Sequence, residues 1–295
     1  MAILSRIGSW LAVALLWLLH WLPTPALGAV GTAIGRLLYR FGRGRVTDIN
    51  LALCFPDMPE AERKRLALRH FEALGRNAIE LSILWFGSDE RVLGMVKLVG
   101  LENLEGIRGR TVIAFAPHFV GVDMCGVKLG QEFERTAFLY SRPKNPVLDR
   151  FLLRGRTRAG SPLMLSRQDG MRAIVKAMRD GYSLYFLPDM DFGPRDALFV
   201  PFFGIPTATV TALPRLAQLG RATVLPVVAT QTPEGYECRI FPPWLDYPSG
   251  DLEADVQRMN AFIEARVRER PELYFWAHKR FKTRPPGEPS PYRGK

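Results

Sequence analysis

His118 and Asp123, within TVIAFAPHFVGVDMCG (residues 111–126), are the residues whose types and spacing best suit chemistry. A neutral imidazole titrates near pH 7 and takes a proton from an alcohol. A carboxylate on its second nitrogen fixes the tautomer and stabilises the imidazolium that forms. A separation of five places the two roughly 140° apart on a regular helix, so they meet only across a loop-to-helix junction. A lone His-x4-Asp is equally compatible with a half-exposed histidine and a helix-capping aspartate that share no role.

Asp189 and Asp191, in PDMDFG (188–193), follow an apolar run. Two carboxylates there suit a metal or the orientation of basic residues. No third ligand lies nearby in sequence, and the chain has no CxxC or HExxH, so a metal is rejected. Asp189 is expected to pair with an arginine of a substrate site.

The elements that must position these groups follow from pattern. TVIAFA (111–116) is short and β-branched, the mark of a strand covered on both faces, and Gly121 permits a tight turn after it. The C-terminal end of such a strand is where open α/β sheets usually carry their sites. TAFLY (136–140) is a second strand, and Arg142 and Lys144 follow it, placed either to grip a phosphate or carboxylate in two-point fashion or simply as ordinary surface charge. Residues 166–181 form an amphipathic helix through Met171, Ile174, Val175 and Met178, with Arg167 and Asp169 at its start. YSLYFL (182–187) is a buried strand. FVPFFG (199–204) is expected as an apolar loop, suited to an acyl chain or simply to the core. Residues 208–219 are expected to be helical with a kink at Pro214. A strand at 222–230 pairs antiparallel with one at 236–241, and residues 251–268 are a helix. Upstream, Phe71, Leu74, Ala78, Leu81 and Trp85 mark another helix, with His70 beside its apolar face. Alternation of strands and helices predicts an α/β fold, a mainly parallel mixed sheet flanked by helices.

No formal charge occurs from Ile7 to Gly35. Residues 7–22 form an apolar helix about 24 Å long against a hydrocarbon core of ~30 Å, enough to enter a bilayer or to span a thinned one. Gly31 and Gly35 form a GxxxG pattern that permits close helix packing. A cleaved signal peptide is the competing reading. Arg36, Arg40, Arg43 and Arg45 follow the apolar stretch and favour a retained anchor with the rest of the chain on the cytoplasmic side. The chain therefore divides into an anchor with a basic juxtamembrane segment (1–45), an α/β domain (46–282) and a basic, proline-rich tail (283–295).

Lys and Arg number 40 against 29 acids in 295 residues, a net charge of +11. That balance favours anionic partners such as a membrane surface or phosphorylated substrates. Nucleic acid is excluded as a partner, since no zinc-finger spacing, RNP-like strand or long basic run occurs. Three scattered cysteines indicate no disulfide framework.

The His-x4-Asp pattern resembles the catalytic motif of glycerolipid acyltransferases. With SRPKNPVLD (141–149), PDMDFG, FVPFFG and WAHKRFKTRPPGEPSPY (276–292), the chain from about residue 50 to 292 resembles the late, lauroyl/myristoyl-type acyltransferases of lipid A biosynthesis. It departs from them at Asp123, where that family more often has Glu. The resemblance implies an enzyme of the bacterial inner membrane, its catalytic domain on the cytoplasmic face. It implies transfer of a fatty acyl group from acyl carrier protein to a hydroxyl of an acylated lipid A precursor, with no cofactor. His118 is then the general base and Asp123 its orienting acid. Arg142, Arg167 and Asp189 are substrate-binding, and His278 and Arg280 belong to the family's characteristic ending in a structural or acceptor-binding role. No GxSxG elbow or well-placed cysteine is present, so direct transfer without an acyl-enzyme is expected. The alternatives are an acyltransferase acting on a lysophospholipid or ornithine lipid, a thioesterase using the same pair on water, and a non-catalytic basic protein of the membrane surface.

Overall fold

The computed structural model describes residues 2–158 and 160–293, apart from the side chains of residues 2–7, 43 and 167. The chain begins with helices: α1 (Ala2–Leu19), α2 (Thr24–Leu38), α3 (Arg45–Cys54), α4 (Glu60–Phe86) and the short α5 (Asp89–Gly94). Next come β1 (Val96–Val99), α6 (Glu102–Glu105), β2 (Val112–Phe115), α7 (Val122–Leu129), β3 (Thr136–Tyr140), α8 (Pro146–Thr157), β4 (Leu163–Ser166) and α9 (Gly170–Arg179). The remainder is β5 (Ser183–Phe186), β6 (Ala197–Phe202), β7 (Ile205–Val210), α10 (Ala212–Gly220), β8 (Thr223–Gln231), β9 (Tyr236–Ile240) and α11 (Leu252–Glu269).

Seven strands form one sheet in the order β1-β9-β8-β2-β5-β3-β4. All its pairings are parallel except β8 with β9. The expected mainly parallel mixed sheet is therefore observed, including the antiparallel β8–β9 pair. β2 lies at the centre, in register with β5 (Ala114 opposite Tyr185) and β8 (Ala114 opposite Leu225). All four residues of β2 and all four of β5 are buried, as their unbroken apolar runs require of strands covered on both faces.

Two expectations from the C-terminal half are corrected. FVPFFG is not a loop. It is the end of β6 and the turn into β7, a separate two-stranded hairpin, with Phe203 and Gly204 both at positive φ in the turn. Val200 and Phe202 are fully buried in the core, and Phe203, half-buried, packs on Phe55 and Trp276. Residues 208–210 belong to β7. Helix α10 starts at Ala212, and Pro214 therefore sits in its first turn, where the missing N–H costs no hydrogen bond.

The glycines of the GxxxG pattern do bring helices together, and their partner is α4. A Cβ at Gly31 would strike the Gly75 carbonyl and the Arg76 backbone, one at Gly35 the Phe71 carbonyl, and one at Gly75 the Gly31 carbonyl. Helix α1 lies against α8: Asn145, the N-cap of α8, donates to Ser9 Oγ at 2.7 Å, and Trp10 meets Phe151 edge-on. Trp10, Leu11, Leu15, Trp17 and Leu18 of α1, and Trp21 just after it, are exposed. Among the described residues no helix is long and apolar enough to cross a membrane.

Candidate active site

His118 lies three residues beyond β2, in the connection to α7. Gly121, at φ +97°, is the N-cap of α7, and a Cβ there would collide with the Tyr236 ring, so the turn after His118 requires glycine. The backbone of the turn is gripped from outside the sheet. Phe275 N donates to His118 O at 2.9 Å, and Val120 N donates to Leu273 O at 2.8 Å.

The carboxylate on His118 is Asp189. His118 Nδ1 lies 2.6 Å from Asp189 Oδ1, and the His118 backbone N–H donates to Asp189 Oδ2 at 2.9 Å. Asp189 follows β5, and β5 pairs with β2, so two strand ends 71 residues apart in sequence deliver the pair side by side. The Asp189 side chain is 1% exposed and that of His118 24%. Burial by itself would raise the Asp189 carboxyl. The His118 imidazole beside it, the two hydrogen bonds from His118 and the nearby Arg280 charge outweigh burial and hold it below its ordinary value. With Nδ1 committed to Asp189, His118 Nε2 has no hydrogen-bond partner among the described residues.

The expected pairing of His118 with Asp123 is thus replaced. Asp123, in the first turn of α7, accepts both Nε (2.9 Å) and Nη2 (2.7 Å) of Arg156 from α8. The expectation that Asp189 meets an arginine of a substrate site is replaced as well, because both its oxygens face His118. Asp191 accepts three hydrogen bonds, from Gly193 N, Thr283 N and Thr283 Oγ1, each at 2.8 Å.

His118, Asp123 and Arg156 line one cavity of about 800 Å³. Its walls come from β3 and β5 (Phe138, Tyr185), α9 (Ile174) and α10 (Leu216), and Arg195 and Arg215 lie on it too. A mostly apolar cleft of this size with a few convergent polar groups suits a lipid-sized ligand. Arg142 is not among its lining residues. Its side chain is largely exposed, 3.8 Å from Asp149, although its neighbours Tyr140 and Ser141 do line the cavity. The Arg167 side chain lies outside the described residues. Asp169 holds the N-cap position of α9, as expected, but makes no capping hydrogen bond; its side chain accepts the Ser166 N–H at 2.7 Å. Arg280 is buried and donates to Ala208 O and Thr209 Oγ1, a structural placement.

Sequence reasoning missed Arg156, Arg195 and Arg215. Arg195, two residues past PDMDFG, was the one within reach. Nothing local marks Arg156, which meets Asp123 only because α8 packs across α7.

A histidine–aspartate pair thus lies at the carboxyl end of a central strand of an α/β sheet and opens on a large, mostly apolar cleft. Residues 1–283 match the family described as bacterial lipid A biosynthesis acyltransferase, and the chain belongs to that family. It is 33% identical to the lipid A biosynthesis lauroyltransferase of Escherichia coli K12, over 96% of this chain and 94% of that protein. It is equally 33% identical to the palmitoleoyltransferase (96% and 94%) and the myristoyltransferase (98% and 91%) of the same organism. The protein is an acyltransferase of lipid A biosynthesis.

Proposed function

We propose that this protein moves a fatty acyl group from the thioester of acyl carrier protein to a hydroxyl of an already acylated lipid A precursor, with His118 as general base. The His118–Asp189 pair, with Nε2 left for substrate at the edge of the apolar cavity, is the observation that carries this reading. His118 Nε2 takes the proton of the acceptor hydroxyl while Asp189 holds Nδ1–H and stabilises the imidazolium. The oxygen attacks the thioester carbonyl. The tetrahedral intermediate then collapses with loss of the carrier thiolate, which recovers the proton from the imidazolium. Of the backbone donors at 119–121, Phe119 N and Val120 N are already bonded to Pro117 O and Leu273 O. The Gly121 N–H is left to meet the oxyanion. Asp123, fixed by Arg156, and the arginines at 195 and 215 are assigned to the polar head of the acceptor.

The exposed tryptophans and leucines of α1 support attachment to a membrane face by a helix lying in the interface. An acceptor that never leaves the bilayer is then met at its surface, on the cytoplasmic side of the inner membrane.

The test is mass spectrometry of lipid A from cells lacking the protein, complemented with wild type or with His118→Ala. Wild type is expected to add one acyl mass and the variant none. An unchanged lipid A in every strain, with another lipid shifted, would reassign the acceptor.

A further inference from the structure

The C-terminal segment around Trp276–Thr283 is irregular, yet it is bound at both ends of the His118–Asp189 pair. Phe275 N holds the His118 carbonyl. Eight residues on, Thr283 donates its N–H (2.8 Å) and its hydroxyl (2.8 Å) to the two oxygens of Asp191, a carboxylate only 1% exposed. Between them His278 reaches the same turn from another direction: the Asp191 N–H donates to His278 Nε2 at 3.0 Å. The segment is itself anchored, because Asn50 of α3 donates to the carbonyls of Trp276 (2.7 Å) and His278 (2.8 Å).

We infer that His278 is a positioning residue for the reaction: as a hydrogen-bond acceptor at Nε2 it fixes the Asp189–Asp191 turn, and through it the carboxylate that orients His118. The inference rests on His118 being the base. Asp189 and Asp191 are two residues apart in one turn, so a turn that drifts carries Asp189 away from a bond only 2.6 Å long. Displacements of about 1 Å in such constellations cost on the order of 100-fold in rate. The acceptor role demands an imidazole with no proton on Nε2, since a second N–H there would face the Asp191 N–H. The surroundings keep the ring uncharged, and the Asp191 N–H selects Nε2 as the nitrogen without a proton. Burial, then the charges of Arg280 and Lys282, lower the His278 pKa to about 4, with His118 acting in the same direction and Asp189 against it.

The test uses the full-length enzyme with acyl carrier protein thioester and a hydroxyacylated lipid A precursor, comparing wild type, His278→Leu, His278→Gln, Thr283→Val and His118→Ala. A glutamine amide oxygen reaches about as far as Nε2 and can accept the same bond; leucine fills space without accepting. We expect His278→Leu to lose about 10- to 100-fold in kcat with KM nearly unchanged. His278→Gln should recover most of that loss. The acid limb of the kcat/KM profile should move to lower pH in His278→Leu, because a loosened Asp189 stabilises the imidazolium less. Should His278→Leu fail to fold, Thr283→Val, which removes only the hydroxyl bond on the same turn, is expected to lower kcat severalfold at constant KM. Wild-type kcat in His278→Leu, or in Thr283→Val where that variant decides, overturns the inference, and so does a glutamine variant as impaired as leucine at equal thermal stability. His118→Ala separates the two readings. If it is inactive while His278→Leu is normal, the positioning role alone fails; if it is active, the general base has been misassigned and both fail.

Discussion

Asp189 contacts His118 twice, through the ring at Nδ1 (2.6 Å) and through the backbone N–H (2.9 Å), so one carboxylate sets both the tautomer of the imidazole and the place where it hangs. Asp123, the acid that the His-x4-Asp spacing singles out, belongs instead to Arg156. The two acids therefore have different consequences when removed.

Asp189→Asn keeps the shape of the site but loses the charge that stabilises the imidazolium, and its amide can present an N–H to Nδ1. The expected result is a fall in kcat of about 10²–10⁴-fold with KM little changed, read in steady-state transfer assays. A fall confined to KM would place Asp189 in substrate binding.

Asp123 and Arg156 act as one unit, since the guanidinium delivers two donors to a single oxygen. The double variant Asp123→Ala/Arg156→Ala should be scarcely worse than either single variant. A double-mutant cycle on kcat/KM is expected to give a coupling on the order of 1–3 kcal/mol. Arg156→Lys should not rescue, because a point charge lacks the fork. Additive effects would separate the two residues.

Much of this was legible in the chain and some was not, for identifiable reasons. β2, β3, β5 and the β8–β9 pair stand out because their apolar runs are short, rich in β-branched or aromatic residues and bounded by turn residues. β4 has no β-branched residue, buries only Leu165, and is followed at once by a 3-10 turn (Arg167–Asp169) that leads into α9, so its pattern blends with that of the helix. The β6–β7 hairpin hides behind Pro201 and Pro206. His118 is singled out by its place at the end of a buried strand. Its partner was misassigned because local spacing speaks for Asp123, whereas Asp189 depends on β5 lying beside β2, and strand order is not written in local pattern. The GxxxG pattern was correctly tied to close packing, but its partner, Gly75 of α4, is visible only in three dimensions.

That packing gives a stability prediction. Gly75→Ala puts a methyl group into the Gly31 carbonyl where the α2 and α4 backbones touch, and neither backbone can yield without moving a helix. A loss of about 1–3 kcal/mol is expected, read as a lower midpoint in thermal or denaturant unfolding. Gly94→Ala, where the added Cβ meets nothing, is the control.

His70 carries the pH prediction. It is fully buried on α4, hydrogen-bonded through Nδ1 to Glu272 O at 2.9 Å, and burial lowers its pKa to about 4 from 6.5. The folded protein thus resists a proton that the unfolded chain accepts. The contribution is fully present above about pH 6.5 and is lost as the pH falls toward 4, on the order of 3 kcal/mol across that window. Unfolding midpoints should drop steeply between those values, and less steeply in His70→Asn, which can keep a donor to Glu272 O. Equal slopes in the two proteins would assign the acid sensitivity elsewhere.

The most direct measurement is the rate of acyl transfer by purified His118→Ala from acyl carrier protein thioester to a hydroxyacylated lipid A precursor, followed by mass spectrometry. With His118 as general base, the expected rate is about 10²–10⁴-fold below wild type in a protein that remains folded. A folded His118→Ala enzyme transferring at near-normal rate would contradict it, and would move the proton acceptor to another group on the cavity wall.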